Sequence, residues 1–206
     1  MQALIIVDVQ NDFLPGGALA VPHGVGVIPV ANRVSQRFEL VLATQDWHPP
    51  EHGSFAANHP GRKPGDVIEL GGLKQILWPV HCVQNTPGAA FAAELDLHRV
   101  ARVFRKGIDP DIDSYSTFFD NARRRSTGLA DYLRERGARD VYLLGLATDY
   151  CVKFSALDAL DLGFHTFVIE DGCRAIDLQP GDADRALAEI ETKGGTIVRS
   201  GDLTGT

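Results

Sequence analysis

Six stretches of this 206-residue chain are apolar without alternation: ALIIVDV (3–9), LVLATQD (40–46), RVFRK (102–106), DVYLLGLA (140–147), HTFVIED (165–171) and TIVRS (196–200). A strand wetted on one face alternates polar with apolar residues, whereas runs rich in Val, Ile and Leu suit strands covered on both faces, as in a parallel sheet. Between most of them lie segments with apolar residues at three- and four-residue spacing: VGVIPVANRVSQRF (25–38), TGLADYLRERG (127–137), the segment opening at Thr148, and GDADRALAEIETKG (181–194). Gly137, Gly163 and Gly194 stand where helix C-terminal caps belong, and Asp182 or Asp184 where an N-cap does. Strand, helix, strand in succession predicts a doubly wound α/β fold, with a mostly parallel sheet and helices on both faces. A chain of this length buries a substantial core without staples, and residues 1–206 read as a single domain.

One segment breaks the rhythm. From Pro49 to Ala90 the chain carries Pro49, Pro50, Pro60, Pro64, Pro79, Pro87 and many glycines. It is too long for an idle connection and reads as a functional excursion.

In a parallel α/β sheet, ligands collect at the carboxyl ends of the strands. Asp8 ends the first run, Asp46 the second and Lys106 the third, while Cys151 follows the fourth. Singly, each has a bland reading: strand-end aspartates cap helices, lysines solvate edges, and cysteines such as Cys82 and Cys173 serve as small buried hydrophobes. Together they deliver two carboxylates, an ammonium and a thiol to one edge. If Thr148 or Asp149 caps the following helix, Cys151 lies in its first turn, where unpaired N–H groups and a nearby Lys106 favour a thiolate.

A second constellation sits in the excursion, in DWHPPEHGSFAANHP (46–60) and WPVHCVQNTPG (78–88). Asp46 and His48 are two apart on an extended segment, and His81 can return from a loop. A carboxylate and two imidazoles can bind Zn²⁺, Fe²⁺ or Mn²⁺ and leave positions for water or substrate. His23, His52, His59, His98 and His165 read as surface or packing residues.

The strings VDVQNDF, DWHPPEHGSFA, WPVHCVQNTPG, FRKG, DSYSTF and GLATDYCV, in this order, resemble the nicotinamidases of the isochorismatase-like cysteine hydrolases. The resemblance spans nearly the whole chain. It implies the isochorismatase-like form of the fold, with a catalytic triad of Asp8, Lys106 and Cys151 and metal ligands Asp46, His48 and His81. It implies one divalent ion, zinc first, with iron or manganese as alternatives. It implies a cis peptide at Leu146-Ala147 that turns the backbone N–H groups of Ala147 and Cys151 into an oxyanion hole. Phe13 and Trp78 would wall the substrate ring, with Leu146 and Ala147 in the binding site and Tyr115 near the pocket mouth. Ser54 stands where some members place a histidine or glutamate eight residues after the metal-binding aspartate; a poor direct ligand, it is expected to act through water.

The implied activity is hydrolysis of nicotinamide to nicotinate and ammonia through a cysteine thioester, with the metal orienting the pyridine ring and pyrazinamide as a further substrate. A hydrolase of carbamoyl or ureido compounds would not require the metal loop, and the isochorismatase branch proper needs no cysteine. A nucleotide-binding module lacks its phosphate cradle, since no G-x-G-x-x-G or G-x-x-x-x-G-K-[ST] follows any predicted strand. With 20 Lys and Arg against 27 Asp and Glu, a net charge of −7 offers no basic footprint for nucleic acid or an anionic membrane. Three cysteines do not make a disulfide framework. MQALIIVDVQNDF meets an aspartate before an apolar signal region can form, so the expected location is cytoplasmic, and self-association into a homo-oligomer is plausible for an open sheet.

Overall fold

The computed structural model describes residues 1–203. Every apolar run becomes a strand. β1 (Gln2–Val7), β2 (Leu40–Asp46), β5 (Val100–Lys106), β6 (Asp140–Leu146), β7 (His165–Arg174) and β8 (Thr196–Val198) form one sheet in the order β5-β2-β1-β6-β7-β8, with every pair parallel. Ala3 to Val7 are at most 1% exposed, as strands covered on both faces require.

The helices fall between the strands as their periodicity predicts. In α1 (Val27–Ser35), Val27, Val30, Ala31 and Val34 are buried at three- and four-residue intervals. α2 (Leu129–Glu135), α3 (Lys153–Asp161) and α4 (Asp182–Thr192) follow β5, β6 and β7. The connection from β1 through α1 to β2 and that from β6 through α3 to β7 run in opposite directions along the sheet. Right-handed crossovers therefore put α1 and α3 on opposite faces. The direction reverses between β1 and β6, the place where open α/β sheets build their sites.

Three local expectations need correction. No side chain caps the helix after β6: Thr148–Val152 form a π-helical turn in which the Ala147 carbonyl accepts the Tyr150 and Val152 N–H groups. The Asp149 carboxylate instead accepts the N–H groups of Ile176 and Asp177, tying down the strap beyond β7. At α4 the cap position is Gly181, while Asp182 accepts the Gln179 N–H. The excursion also contains an unforeseen antiparallel hairpin, β3 (Val67–Leu70) and β4 (Leu73–Ile76), closed by Gly71 and Gly72. Gly137, Gly163 and Gly194 do follow their helices with left-handed φ angles.

Gly145 carries the closest approach in the sheet. Its φ is +129°, and a Cβ there would stand 2.1 Å from the Val7 carbonyl oxygen, where β1 and β6 deliver their residues to the site. Gly145→Ala is expected to cost about 3 kcal/mol or more, lowering the thermal midpoint by roughly 6–12 °C for a chain of this size. Gly61, also at positive φ but in open space, is the control; equal midpoints for the two alanine variants would contradict the packing argument.

Candidate active site

Residues from the carboxyl ends of four strands meet around one buried ammonium. Asp46 and Lys106 are register partners at the ends of β2 and β5, Asp8 follows β1, and Cys151 lies in the turn after β6. Lys106 is 2% exposed. Its Nζ lies 2.9 Å from Asp8 Oδ2, donates to Asp46 Oδ1 and to the Ser114 carbonyl (2.9 Å), and stands 3.3 Å from Cys151 Sγ. Thr44 Oγ1 donates to the other Asp8 oxygen at 2.6 Å.

Burial by itself would pull the Lys106 pKa down, but the Asp46 and Asp8 carboxylates outweigh it and hold the ammonium well above its ordinary range. Burial pushes the Asp8 carboxyl up; Lys106 opposes this without cancelling it, and the charge of Asp46 adds to the rise. Asp46 is also buried, yet Lys106 and His48 hold its carboxyl below the usual range. The Cys151 thiol contradicts the sequence expectation. Burial drives its pKa well above the ordinary cysteine value, and Lys106 offsets this only in part while both carboxylates work against it.

The second donor set adjoins the first. One ligating atom from each of Asp46, His48 and His81 lies within 4.8 Å of the others. His48 Nδ1 pairs with the Gly107 carbonyl at 2.8 Å and His81 Nδ1 with that of Pro79 at 2.8 Å. Both rings therefore donate backward through Nδ1 and turn Nε2 inward, the arrangement of a metal-binding imidazole. Gly107 permits it, since a Cβ there would stand 2.3 Å from the His48 ring. Burial and the charge of His48 lower the His81 pKa to about 4, leaving a lone pair free near neutral pH. His48 is raised despite burial because Asp46 Oδ2 lies 3.7 Å from its Nε2, and a cation can take the place of that proton. The donor set fits Zn²⁺ and its neighbours in the divalent series.

His52, expected as a packing residue, is wholly buried against His48, with ring centroids 4.3 Å apart. Its Nδ1 accepts the Ser54 N–H at 3.2 Å and lies 2.7 Å from Ser54 Oγ, which leaves Nε2 as a buried donor with no protein acceptor. Ser54 thus contacts His52, which packs against the metal-ligand candidate His48. Asp113, the first residue of DSYSTF, groups with His48 and His52.

A cleft opens over Cys151. Phe13, Trp78, Tyr115 and Ala147 line it as expected, together with His81, Asp46, Asp113, Leu19, Tyr150 and Ile176. Tyr115 Oη accepts from Gln75 Nε2 (2.9 Å) and Trp78 Nε1 (3.2 Å), and Tyr150 packs edge-on to Trp78 at 4.9 Å. Leu146 is fully buried and does not line the cleft; it contributes the cis peptide bond it shares with Ala147. A roomier groove of about 940 Å³ runs past Gln45, Trp47 and Phe91, but it contains none of the ionisable cluster. Converging chemistry, not volume, marks the site.

Comparison with known proteins agrees with this geometry. The isochorismatase domain family matches residues 2–202. The nicotinamidase of Escherichia coli (strain K12) is 50% identical over 205 residues, covering 98% of this chain and 96% of that one. The structure of an Acinetobacter baumanii nicotinamidase and pyrazinamidase superposes with a TM-score of 0.95 at 47% identity over 98% of both chains. That of the Pyrococcus horikoshii pyrazinamidase in complex with zinc does so with a TM-score of 0.79 at 42% identity, over 96% of this chain and 98% of that one. The chain belongs to the nicotinamidase family of the isochorismatase-like hydrolases.

Proposed function

We propose that this chain hydrolyses nicotinamide to nicotinate and ammonia, using Cys151 as nucleophile, Asp8 as proton carrier and Lys106 as their electrostatic anchor. The observation that carries this reading is the single buried ammonium of Lys106, which touches Asp8, Cys151 and Asp46 together. A carboxamide is a weak electrophile and demands a strong nucleophile, a donor for the leaving nitrogen and donors for the oxyanion. As Cys151 Sγ attacks the carbonyl carbon, its proton passes to Asp8, whose raised pKa suits it to hold one. The backbone N–H groups of Ala147 and Cys151 receive the oxyanion. Asp8 then protonates the nitrogen, the C–N bond breaks, and ammonia leaves a thioester. Water, giving one proton to Asp8, attacks the thioester; collapse returns that proton to sulfur and releases nicotinic acid, whose own proton passes to solvent or the released ammonia to leave nicotinate.

Asp46, His48 and His81 hold one divalent ion in this reading, zinc first, with iron or manganese as alternatives. When bound, the ion supplies a Lewis-acidic point for the ring nitrogen, so its contribution is orientation. His52 Nε2 and Asp113 face the same space and are suited to hold water there. Phe13, Trp78 and Tyr115 wall the ring. Pyrazinamide has a ring nitrogen at the same separation from its carboxamide and fits the same arrangement. The reading takes residues 1–206 as one catalytic domain acting in the cytoplasm; among the described residues no helix is long and apolar enough to cross a membrane.

Cys151→Ala is expected to lower ammonia release from nicotinamide by about 10⁴-fold or more while nicotinamide still binds by calorimetry; retained turnover would reassign the nucleophile. Benzamide, which keeps the shape but lacks the ring nitrogen, is expected to show kcat/KM about 10²-fold below nicotinamide. Chelation should erase that difference by weakening nicotinamide alone. Equal kcat/KM for the two amides with the metal-loaded enzyme would refute the orienting role.

A further inference from the structure

The segment after β1 carries more than Asp8. Gln10 is fully buried and lays its side-chain amide along the backbone of Asp46. Nε2 donates to the Asp46 carbonyl at 2.8 Å and Oε1 accepts the Asp46 N–H at 2.9 Å. These are the two contacts a neighbouring strand would make, supplied at the point where β1 has ended at Val7 and β2 still runs to Asp46. The second amide hydrogen goes to the Ala89 carbonyl at 2.9 Å.

Asp12 acts on the other limb. Its Oδ2 accepts the Cys82 N–H at 2.7 Å. Cys82 has a φ of +47°, a conformation that persists in a residue with a side chain only when its surroundings impose it. Its carbonyl accepts the His48 N–H at 3.0 Å. The turn that Asp12 ties down therefore joins His81 to the backbone of His48.

We propose that Gln10 and Asp12 are positioning residues for the cation-binding donors, Gln10 for Asp46 and Asp12 for the His81–His48 pair. Neither lines the cleft, so neither is a catalytic residue. The inference rests on the metal-binding reading of Asp46, His48 and His81. Its physical content is that donors on two separate stretches of chain, 46–48 and the turn at His81, must converge within a few tenths of an ångström, and a single segment referenced to Asp8 holds both. The spacing of the cation donors from Asp8 then follows from one short piece of backbone.

The test is binding of Zn²⁺ alone to the metal-stripped chain, by competition with a chromophoric chelator, beside iodoacetamide labelling of Cys151 in the same metal-free protein. Gln10→Met and Asp12→Ala are each expected to weaken Zn²⁺ binding by about 10–100-fold, with labelling at the wild-type rate and KM for nicotinamide rising more than kcat falls. Asp12→Asn keeps an oxygen of the same reach and is expected to recover most of the affinity lost in Asp12→Ala. Unchanged Zn²⁺ affinity in the variants overturns the proposal, as does a labelling rate that changes in step with affinity, the mark of a merely structural role. If Gln10→Met does not fold, the two Asp12 variants decide. A wild-type chain that binds no Zn²⁺ overturns the underlying metal reading as well.

Discussion

An ammonium held away from water between two carboxylates is the constraint on which this site depends. A lone buried charge costs several kcal/mol, so Lys106 is tenable only while Asp8 and Asp46 face it, and they only while it faces them. The three arrive on three different strands. The parallel sheet is what lets them arrive together: adjacent strands end at one edge, and the Asp46–Lys106 register aligns two of the three directly. Two carboxylates against one ammonium still leave an excess of negative charge. The proposed metal donors Asp46, His48 and His81 adjoin this excess, and a divalent ion held there would offset it.

The same charges act on Cys151. Burial keeps the proton on Cys151, and the carboxylates reinforce it. Lys106 at 3.3 Å is the one nearby charge that favours the thiolate. Burial raises the Asp8 carboxyl as it raises the thiol, so both groups hold a proton more tightly than they would in water.

Much of this was legible in the sequence because it depends on local pattern. Continuous apolar runs mark doubly covered strands, and the residues at their ends become neighbours by topology alone, which brings Asp8, Asp46, Lys106 and Cys151 together. The hairpin β3–β4 was not legible, because its strands have four residues each and lie half exposed, with too little pattern to separate them from loop. The π-helical turn at Thr148–Val152 escaped because the cap came from backbone geometry where polar side chains were expected to serve. Gln10, Asp12, His52 and Asp113 carry no signal of their own. Gln10 meets Asp46 across 36 positions and Asp12 meets Cys82 across 70, contacts that only the folded excursion creates. The partner of Ser54, His52, is likewise a matter of fold.

The central claim is that the Lys106 charge, not merely its bulk, sets the reactivity of Cys151. Lys106→Met keeps the stem and removes the charge, and the informative quantity is the rate of iodoacetamide labelling at the Cys151 peptide, followed by mass spectrometry across pH in metal-free protein. Without the ammonium the thiol faces only burial and two carboxylates, so its pKa rises further and the labelling profile shifts to higher pH, with slower labelling near neutrality. Superimposable profiles for the wild type and the variant would contradict the account and reduce the site to Asp8 and Cys151.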